Sequence, residues 1–280
     1  MDKGYLKSHM KPLKPVDSDS TQSKKEESSA AENEVRPLRR QPKGIYLLPN
    51  LFTTGSLFAA FYSIVAAMGQ QYEAAAIAIF VAIMMDSLDG RVARLTNTQS
   101  AFGAEYDSLS DMVAFGLAPA LVMYEWVLVS FGKFGWLVAF LYAAATALRL
   151  ARFNTQLGDE DKRFFQGLAS PAAAAMMASL LWFGVSHNLD LDVLSYYAIA
   201  ITLFAGGMMV SNFRYRSFKD FDPRGRVPFV TMLMVVLGLV FISLDPPQIL
   251  FAMSVIYALS GPIYTVWKVR EHRQNRAKNH

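Results

Sequence analysis

Residues 77–111 read IAIFVAIMMDSLDGRVARLTNTQSAFGAEYDSLSD. The quoted run begins inside a nearly unbroken apolar stretch over 72–92, which has the ~20 residues needed to cross a bilayer as a helix. That stretch ends on two carboxylates, Asp86 and Asp89, and the next apolar stretch opens on two more, Asp107 and Asp111. Asp86 and Asp89 are three residues apart and Asp107 and Asp111 four apart, so each pair shares one face of its helix. Charge at a bilayer edge is expensive and marks a functional site by default. The stretch therefore predicts a helical membrane protein that carries a carboxylate site at one membrane face.

Composition agrees. The 280 residues are 53% hydrophobic and 18% charged, with a mean hydropathy of +0.23. The first 42 residues are polar, so the remainder is more apolar still, which excludes an ordinary soluble domain. The absence of cysteine removes disulfides, thiolate metal sites and cysteine nucleophiles. The start of the chain has no short apolar run of the cleavable type, so insertion is expected through the chain's own helices. Residues 1–42 are rich in Ser, Glu, Lys, Pro and Gln and are read as a disordered cytoplasmic tail. Arg36, Arg39, Arg40 and Lys43 form a basic cluster before the first span. It serves either as a topology signal or as a contact for anionic head groups.

Eight apolar stretches are expected to span, near 49–69, 72–92, 108–131, 134–153, 170–187, 192–212, 227–244 and 248–268. The fold class is thus all-α, a polytopic transmembrane bundle over 43–268, with a basic cytoplasmic tail over 269–280. Connections alternate in charge. Arg91 and Arg94 follow the second stretch, and Arg149, Arg152, Lys162 and Arg163 the fourth. Arg214, Arg216, Lys219, Arg224 and Arg226 follow the sixth, and Lys268, Arg270, Arg273, Arg276 and Lys278 the eighth. The opposite connections hold one Lys, Lys133, and no Arg. Both termini and the aspartates are therefore expected on the cytoplasmic side. Gly206-Gly207 and Ala172 to Ala175 are expected to allow close helix packing.

Four carboxylates converging from two adjacent helices repel one another strongly in a low dielectric. The motif holds no Lys or His, and Arg91 and Arg94 are too few to neutralise it. A cation must sit between the carboxylates. Oxygen-only ligation selects a hard ion, Mg²⁺ or Mn²⁺, with Ca²⁺ possible and Zn²⁺ disfavoured. Two ions would suit four carboxylates and a displacement at phosphorus. Gly90, Ala93 and Gly103 leave room for a bulky group, and Arg94 can pair with a phosphate.

Eight fixed residues, Asp86, Asp89, Gly90, Ala93, Arg94, Gly103, Asp107 and Asp111, span 26 positions and match the signature of the CDP-alcohol phosphotransferases. The chain resembles that family. The resemblance implies a CDP-linked donor in a cytoplasm-facing cavity, two divalent ions on its pyrophosphate, and a homodimer in the cytoplasmic (inner) membrane of a bacterium. By motif position, Asp86, Asp89 and Asp107 look like metal ligands. Asp111 resembles the general base that takes the acceptor's proton, and it also touches metal. Asp89, Gly90, Ala93, Arg94 and Gly103, together with Asn50 and Thr53, look like the donor-binding set. Pro49-Asn50 equally reads as the turn and cap that begin the first helix.

The segments Ala147 to Asn154, Phe165 to Ala172 and Leu48 to Thr53, and Ala101 to Gly103 inside the motif, resemble those of bacterial and archaeal phosphatidylserine synthases, the serine-using branch of the family. Ala169 and Tyr106 depart from that pattern, which favours Pro and Leu there; neither position carries a ligand-type group. The implied reaction joins CDP-diacylglycerol and L-serine to give phosphatidylserine and CMP, in contact with membrane lipids and with no nucleic acid. Serine's carboxylate calls for an arginine, whose planar fork matches two oxygens. Arg149 and Arg152, with Asn154, are the candidates for serine, although both arginines read equally as boundary markers. The same chemistry on glycerol 3-phosphate, inositol or choline is a rival reading, as is a cation transporter or channel whose aspartates hold a permeating ion.

Overall fold

The structure, a computed structural model, describes residues 47–96, 98, 100–155, 164–216 and 229–278. The expected tail over 1–42 lies outside the described residues, as do Lys43, Lys162, Arg163, Lys219, Arg224 and Arg226. Each of the eight apolar stretches falls on helix. In chain order these are α1 (Leu47–Met68), α2 (Tyr72–Thr96), α3 (Ala101–Asp111), a π turn (Met112–Leu117), α4 (Ala118–Trp126) and a 3-10 turn (Leu128–Phe131). Then come α5 (Lys133–Thr155), β1 (Phe164–Gln166), α6 (Ser170–Ser186), α7 (Leu191–Val210), β2 (Arg214–Arg216), α8 (Phe229–Leu244) and α9 (Pro246–Lys278). The basic residues beyond 268 thus continue on α9 as far as Lys278.

Four helical segments are long and apolar enough to cross a membrane unaided: Leu48–Met68, Lys133–Thr155, Leu191–Val210 and Pro246–Thr265. The other apolar stretches depart from a plain spanning helix for visible reasons. α2 has 25 residues, but Glu73, Asp86 and Asp89 dilute its apolar character. The stretch expected near 108–131 begins as helix at Ala101 and is broken by the π turn and the 3-10 turn. α6 and the apolar part of α8 are short.

α1 and α2 form a hairpin closed by a turn in which Gln70 adopts φ 59°. Small residues bring the two helices together: Ala59, Ala60, Ala66 and Ala67 on one side, and Ala75, Ala76 and Ala82 on the other, are all buried. Hydroxyls on α1 then bond across the seam. Ser63 donates to the Ala75 carbonyl at 2.9 Å and Ser56 to the Ala82 carbonyl at 3.0 Å. In lipid such groups have no water to fall back on, so the pairings help fix the register of the hairpin. α2 packs on α6, α6 on α9, and α5 on α7. The expected small-residue contacts are half met. Ala173 and Ala174 are fully buried, and a Cβ at Gly206 would stand 3.5 Å from Tyr142 Cα. Gly207 faces open space.

β1 and β2 form a short antiparallel pair that the hydropathy pattern did not announce, with Phe165 opposite Tyr215. The pair ties the connection before α6 to the connection after α7. Gly167 follows β1 with φ 80°, and a Cβ there would run into the Met209 carbonyl, so only glycine fits this bend.

Candidate active site

The hairpin carries the first half of the site. α1 places Thr53 against the last turns of α2, where its buried hydroxyl donates to Asp89 Oδ2 at 2.9 Å. Asp89 is itself buried. Ser110, on α3, donates to the Thr53 carbonyl at 3.2 Å and so locks α3 onto the same turn of α1. Thr54 reinforces the junction, its hydroxyl 2.9 Å from that of Tyr106. α3 begins where Ser100 caps it by accepting from the Gly103 N–H at 3.0 Å.

This packing brings carboxylate oxygens of Asp86, Asp89 and Asp107 within 4.8 Å of one another. Asp111, one turn beyond Asp107, reaches hydrogen-bonding distance of the Asp86 carboxyl. The structure therefore gathers all four aspartates of the motif. None of them has an ion pair among the described residues, and Asp107 Oδ1 is buried with no hydrogen-bond partner. A buried, unpartnered carboxylate oxygen beside two more carboxylates could hold a metal ion. Thr53, bonded to Asp89 from outside the cluster, holds that carboxylate in place, as supporting groups around metal sites do.

A backbone irregularity follows Asp111. Pro119 has no N–H for the carbonyl four residues earlier, Phe115, and its ring crowds that carbonyl. The helix widens into the π turn over Met112–Leu117, and the Tyr142 hydroxyl, reaching over from α5, donates to the Phe115 carbonyl at 2.9 Å. Tyr142 is 1% exposed, so the bond is shielded. Single π turns of this kind are frequent beside functional residues. Pro119 inside an apolar stretch was the sequence signal for it.

The residues expected at the donor fall into two groups. Around Gly90 the space is open, with nothing within 4 Å of where a Cβ would stand, so packing does not explain the glycine. Gly103 has a local reason: a Cβ there would lie 3.1 Å from Ser100 Oγ and 3.5 Å from Asn50 Oδ1. Asn50 sits in the first turns of α1, beside Gly103. Ala93 accepts the Thr98 N–H at 3.1 Å as α2 ends. Arg94 is exposed and donates from Nε to the Gly90 carbonyl at 2.9 Å.

The candidates for serine separate clearly. Arg149 is partly buried and donates from Nη1 to Ser170 Oγ at 2.7 Å. Along α5 it lies between Thr146, which a Cβ on Gly116 would meet at 3.2 Å, and Asn154, so this stretch of the helix runs beside the segment that holds Asp111. Arg152 donates to Asn212 Oδ1 at 2.8 Å, strapping α5 to the connection after α7. Asn154 donates to Ser108 Oγ at 2.8 Å, strapping the end of α5 to α3.

Known proteins point the same way. The profile of the CDP-alcohol phosphatidyltransferase family matches residues 46–260. A CDP-diacylglycerol–serine O-phosphatidyltransferase of Helicobacter pylori (strain J99) is 37% identical over 227 residues, covering 80% of this chain and 94% of its own. One from Mycobacterium bovis is 41% identical over 151 residues, 52% of each chain. An archaetidylserine synthase of Methanothermobacter thermautotrophicus is 34% identical over 170 residues, 60% of this chain and 69% of the other. The match spans every helix from α1 to α8 and most of the membrane part of α9, and it contains the whole carboxylate cluster: the chain belongs to the CDP-alcohol phosphatidyltransferase family.

Proposed function

We propose that the protein transfers the phosphatidyl group of CDP-diacylglycerol to the hydroxyl of L-serine, giving phosphatidylserine and CMP. One observation carries the reading: Arg149, suited to a carboxylate, lies between Thr146 and Asn154 on the stretch of α5 that runs along Ser108 to Gly116, the segment that holds Asp111. An acceptor held by its carboxylate on Arg149 would bring its hydroxyl toward Asp111. The names of the relatives supply the same pair of substrates.

In this reading Asp86, Asp89, Asp107 and Asp111 would hold two divalent ions, Mg²⁺ or Mn²⁺. Bound there, they would neutralise charge on the donor's pyrophosphate and on the departing phosphate. Asp111 takes the proton from serine's hydroxyl. The freed oxygen forms a bond to the phosphorus nearer the lipid, the phosphoanhydride bond from that phosphorus breaks, and CMP leaves. Gly90 gives the nucleotide a close approach to backbone, and Arg94, Ala93, Gly103, Asn50 and Thr53 border it. The orientation that fits the charge pattern has eight spans, both termini and the site on the cytoplasmic side, and the cytoplasmic membrane as location. A homodimer is the working assembly that the family resemblance implies.

The test is CMP release by the purified full chain from CDP-diacylglycerol, with serine, glycerol 3-phosphate, inositol or choline offered separately. Serine should be the strongly preferred acceptor. EDTA should abolish release, and Mg²⁺ or Mn²⁺ should restore it. Preference for another alcohol would overturn the acceptor assignment, and full turnover without metal would overturn the carboxylate-cation reading.

A further inference from the structure

An arginine side chain is long and has many rotamers, so a fork that must meet a carboxylate squarely needs neighbours that hold it. Arg149 lies on the penultimate turn of α5, on the stretch that Asn154 ties to Ser108 of α3. Two other groups face it from elements outside the aspartate motif. Ser170, fully buried at the start of α6, accepts from Nη1 at 2.7 Å. Tyr257, partly buried on α9, lines one cavity with Ala172 and Ala175 on the first turns of α6, next to Ser170. Tyr142 is also near, but its hydroxyl already donates to the Phe115 carbonyl.

Both neighbours are fixed by one device, the β1–β2 pair. From β1 the chain runs through Gly167 and Leu168, whose N–H groups bond the Phe213 and Met208 carbonyls at 2.9 Å each, into the first turn of α6 and Ser170. From β2, Tyr215 is 1% exposed and donates its hydroxyl to the Ala258 carbonyl on α9 at 2.8 Å. Its ring lies 5.7 Å from that of Tyr257. Gly261 makes this docking possible, since a Cβ there would strike the Tyr215 ring. The strands thus connect the start of α6 and the middle of α9 to a common anchor, with Arg149 between them.

We infer that Ser170 and Tyr257 are positioning residues for the acceptor, holding the Arg149 guanidinium so that its remaining N–H groups meet the acceptor's carboxylate as a pair. Ser170 occupies one donor on Nη1, and the phenol oxygen of Tyr257 would accept from a further N–H on the α9 side. The inference rests on the assignment of Arg149 to the acceptor made above. It extends the acceptor site to α9, a helix that contributes nothing to the aspartate motif.

The experiment compares Arg149→Lys, Ser170→Ala, Tyr257→Phe and the double variant Arg149→Lys/Tyr257→Phe in the full-length protein, measuring KM for serine and for CDP-diacylglycerol, kcat and the melting midpoint. Tyr257→Phe keeps the ring against Tyr215 and removes only the hydroxyl. Arg149→Lys should raise KM for serine roughly 10- to 150-fold. Ser170→Ala and Tyr257→Phe should each raise it about 10-fold, with KM for CDP-diacylglycerol and the melting midpoint nearly unchanged. In the Arg149→Lys background, Tyr257→Phe should add little, because the fork it positions is gone. If Arg149→Lys weakens serine while Tyr257→Phe and Ser170→Ala do not, the positioning inference fails and the role of Arg149 stands. If Arg149→Lys leaves serine untouched, the acceptor reading itself fails. Parallel increases in both KM values with a lower melting midpoint would mean a purely structural role and would also overturn the inference.

Discussion

Asp111 and Asp107 are both carboxylates on α3, one turn apart, yet their surroundings differ. Asp107 joins Asp86 and Asp89 in a cluster whose oxygens lie within 4.8 Å of one another, and it keeps one oxygen without a partner. Asp111 sits at the edge, against Asp86. Replacing Asp111 by Asn keeps the shape and removes the proton acceptor, so turnover should fall by at least about 10²-fold while donor binding changes less. Asp107→Asn should weaken donor and metal binding more than Asp111→Asn does. Metal titrations and single-turnover CMP release separate the two, and near-normal turnover in Asp111→Asn would remove it from the chemistry. At this scale the sequence was highly legible: carboxylates in an apolar context are few, and their spacing alone put them on shared faces. What it hid was the second tier. Thr53 beside Asp89 and Ser170 beside Arg149 are common residue types whose partners lie 36 and 21 positions away.

Among the elements, the third apolar stretch differs most from its reading as a continuous span. Helix starts early, at Ala101, and the π turn before Pro119 receives a donor from another helix, the Tyr142 hydroxyl on the Phe115 carbonyl. Tyr142→Phe would leave the Phe115 carbonyl without that donor in a dry interior, a loss of about 1–3 kcal/mol. The melting midpoint in detergent should fall, and turnover with it, because the π turn begins at the residue after Asp111. Pro119→Ala restores a backbone N–H four residues after Phe115 and should recover part of the loss in the double variant. An unchanged midpoint in Tyr142→Phe would mean that the hydroxyl is not what stabilises the turn. Hydropathy sees neither feature, because a π turn and an α-helix share the same apolar composition. The β1–β2 pair was equally invisible: its strands have three residues each and their pairing joins segments about 50 positions apart.

For the molecule as a whole, the decisive question is which way the aspartate end faces. The apolar stretches were legible because each approaches the length a bilayer demands, and the alternation of Arg and Lys gave an orientation that no packing contact encodes. The end of the bundle that holds the aspartates also carries Arg91, Arg94, Arg149 and Arg152, while the opposite end offers Lys133 alone among the connections read from the sequence. A charge bias of that kind predicts the aspartate end in the cytoplasm. The chain contains no cysteine, so single cysteines report without background. Gln71 lies in the turn between α1 and α2 and Glu105 on the exposed side of α3, so the two positions mark opposite ends of the hairpin and site. In sealed right-side-out vesicles, Gln71→Cys should react with a membrane-impermeant maleimide at once, and Glu105→Cys only after the vesicles are opened. Immediate labelling of Glu105→Cys with protection of Gln71→Cys would reverse the orientation and put the site on the wrong side for its substrates.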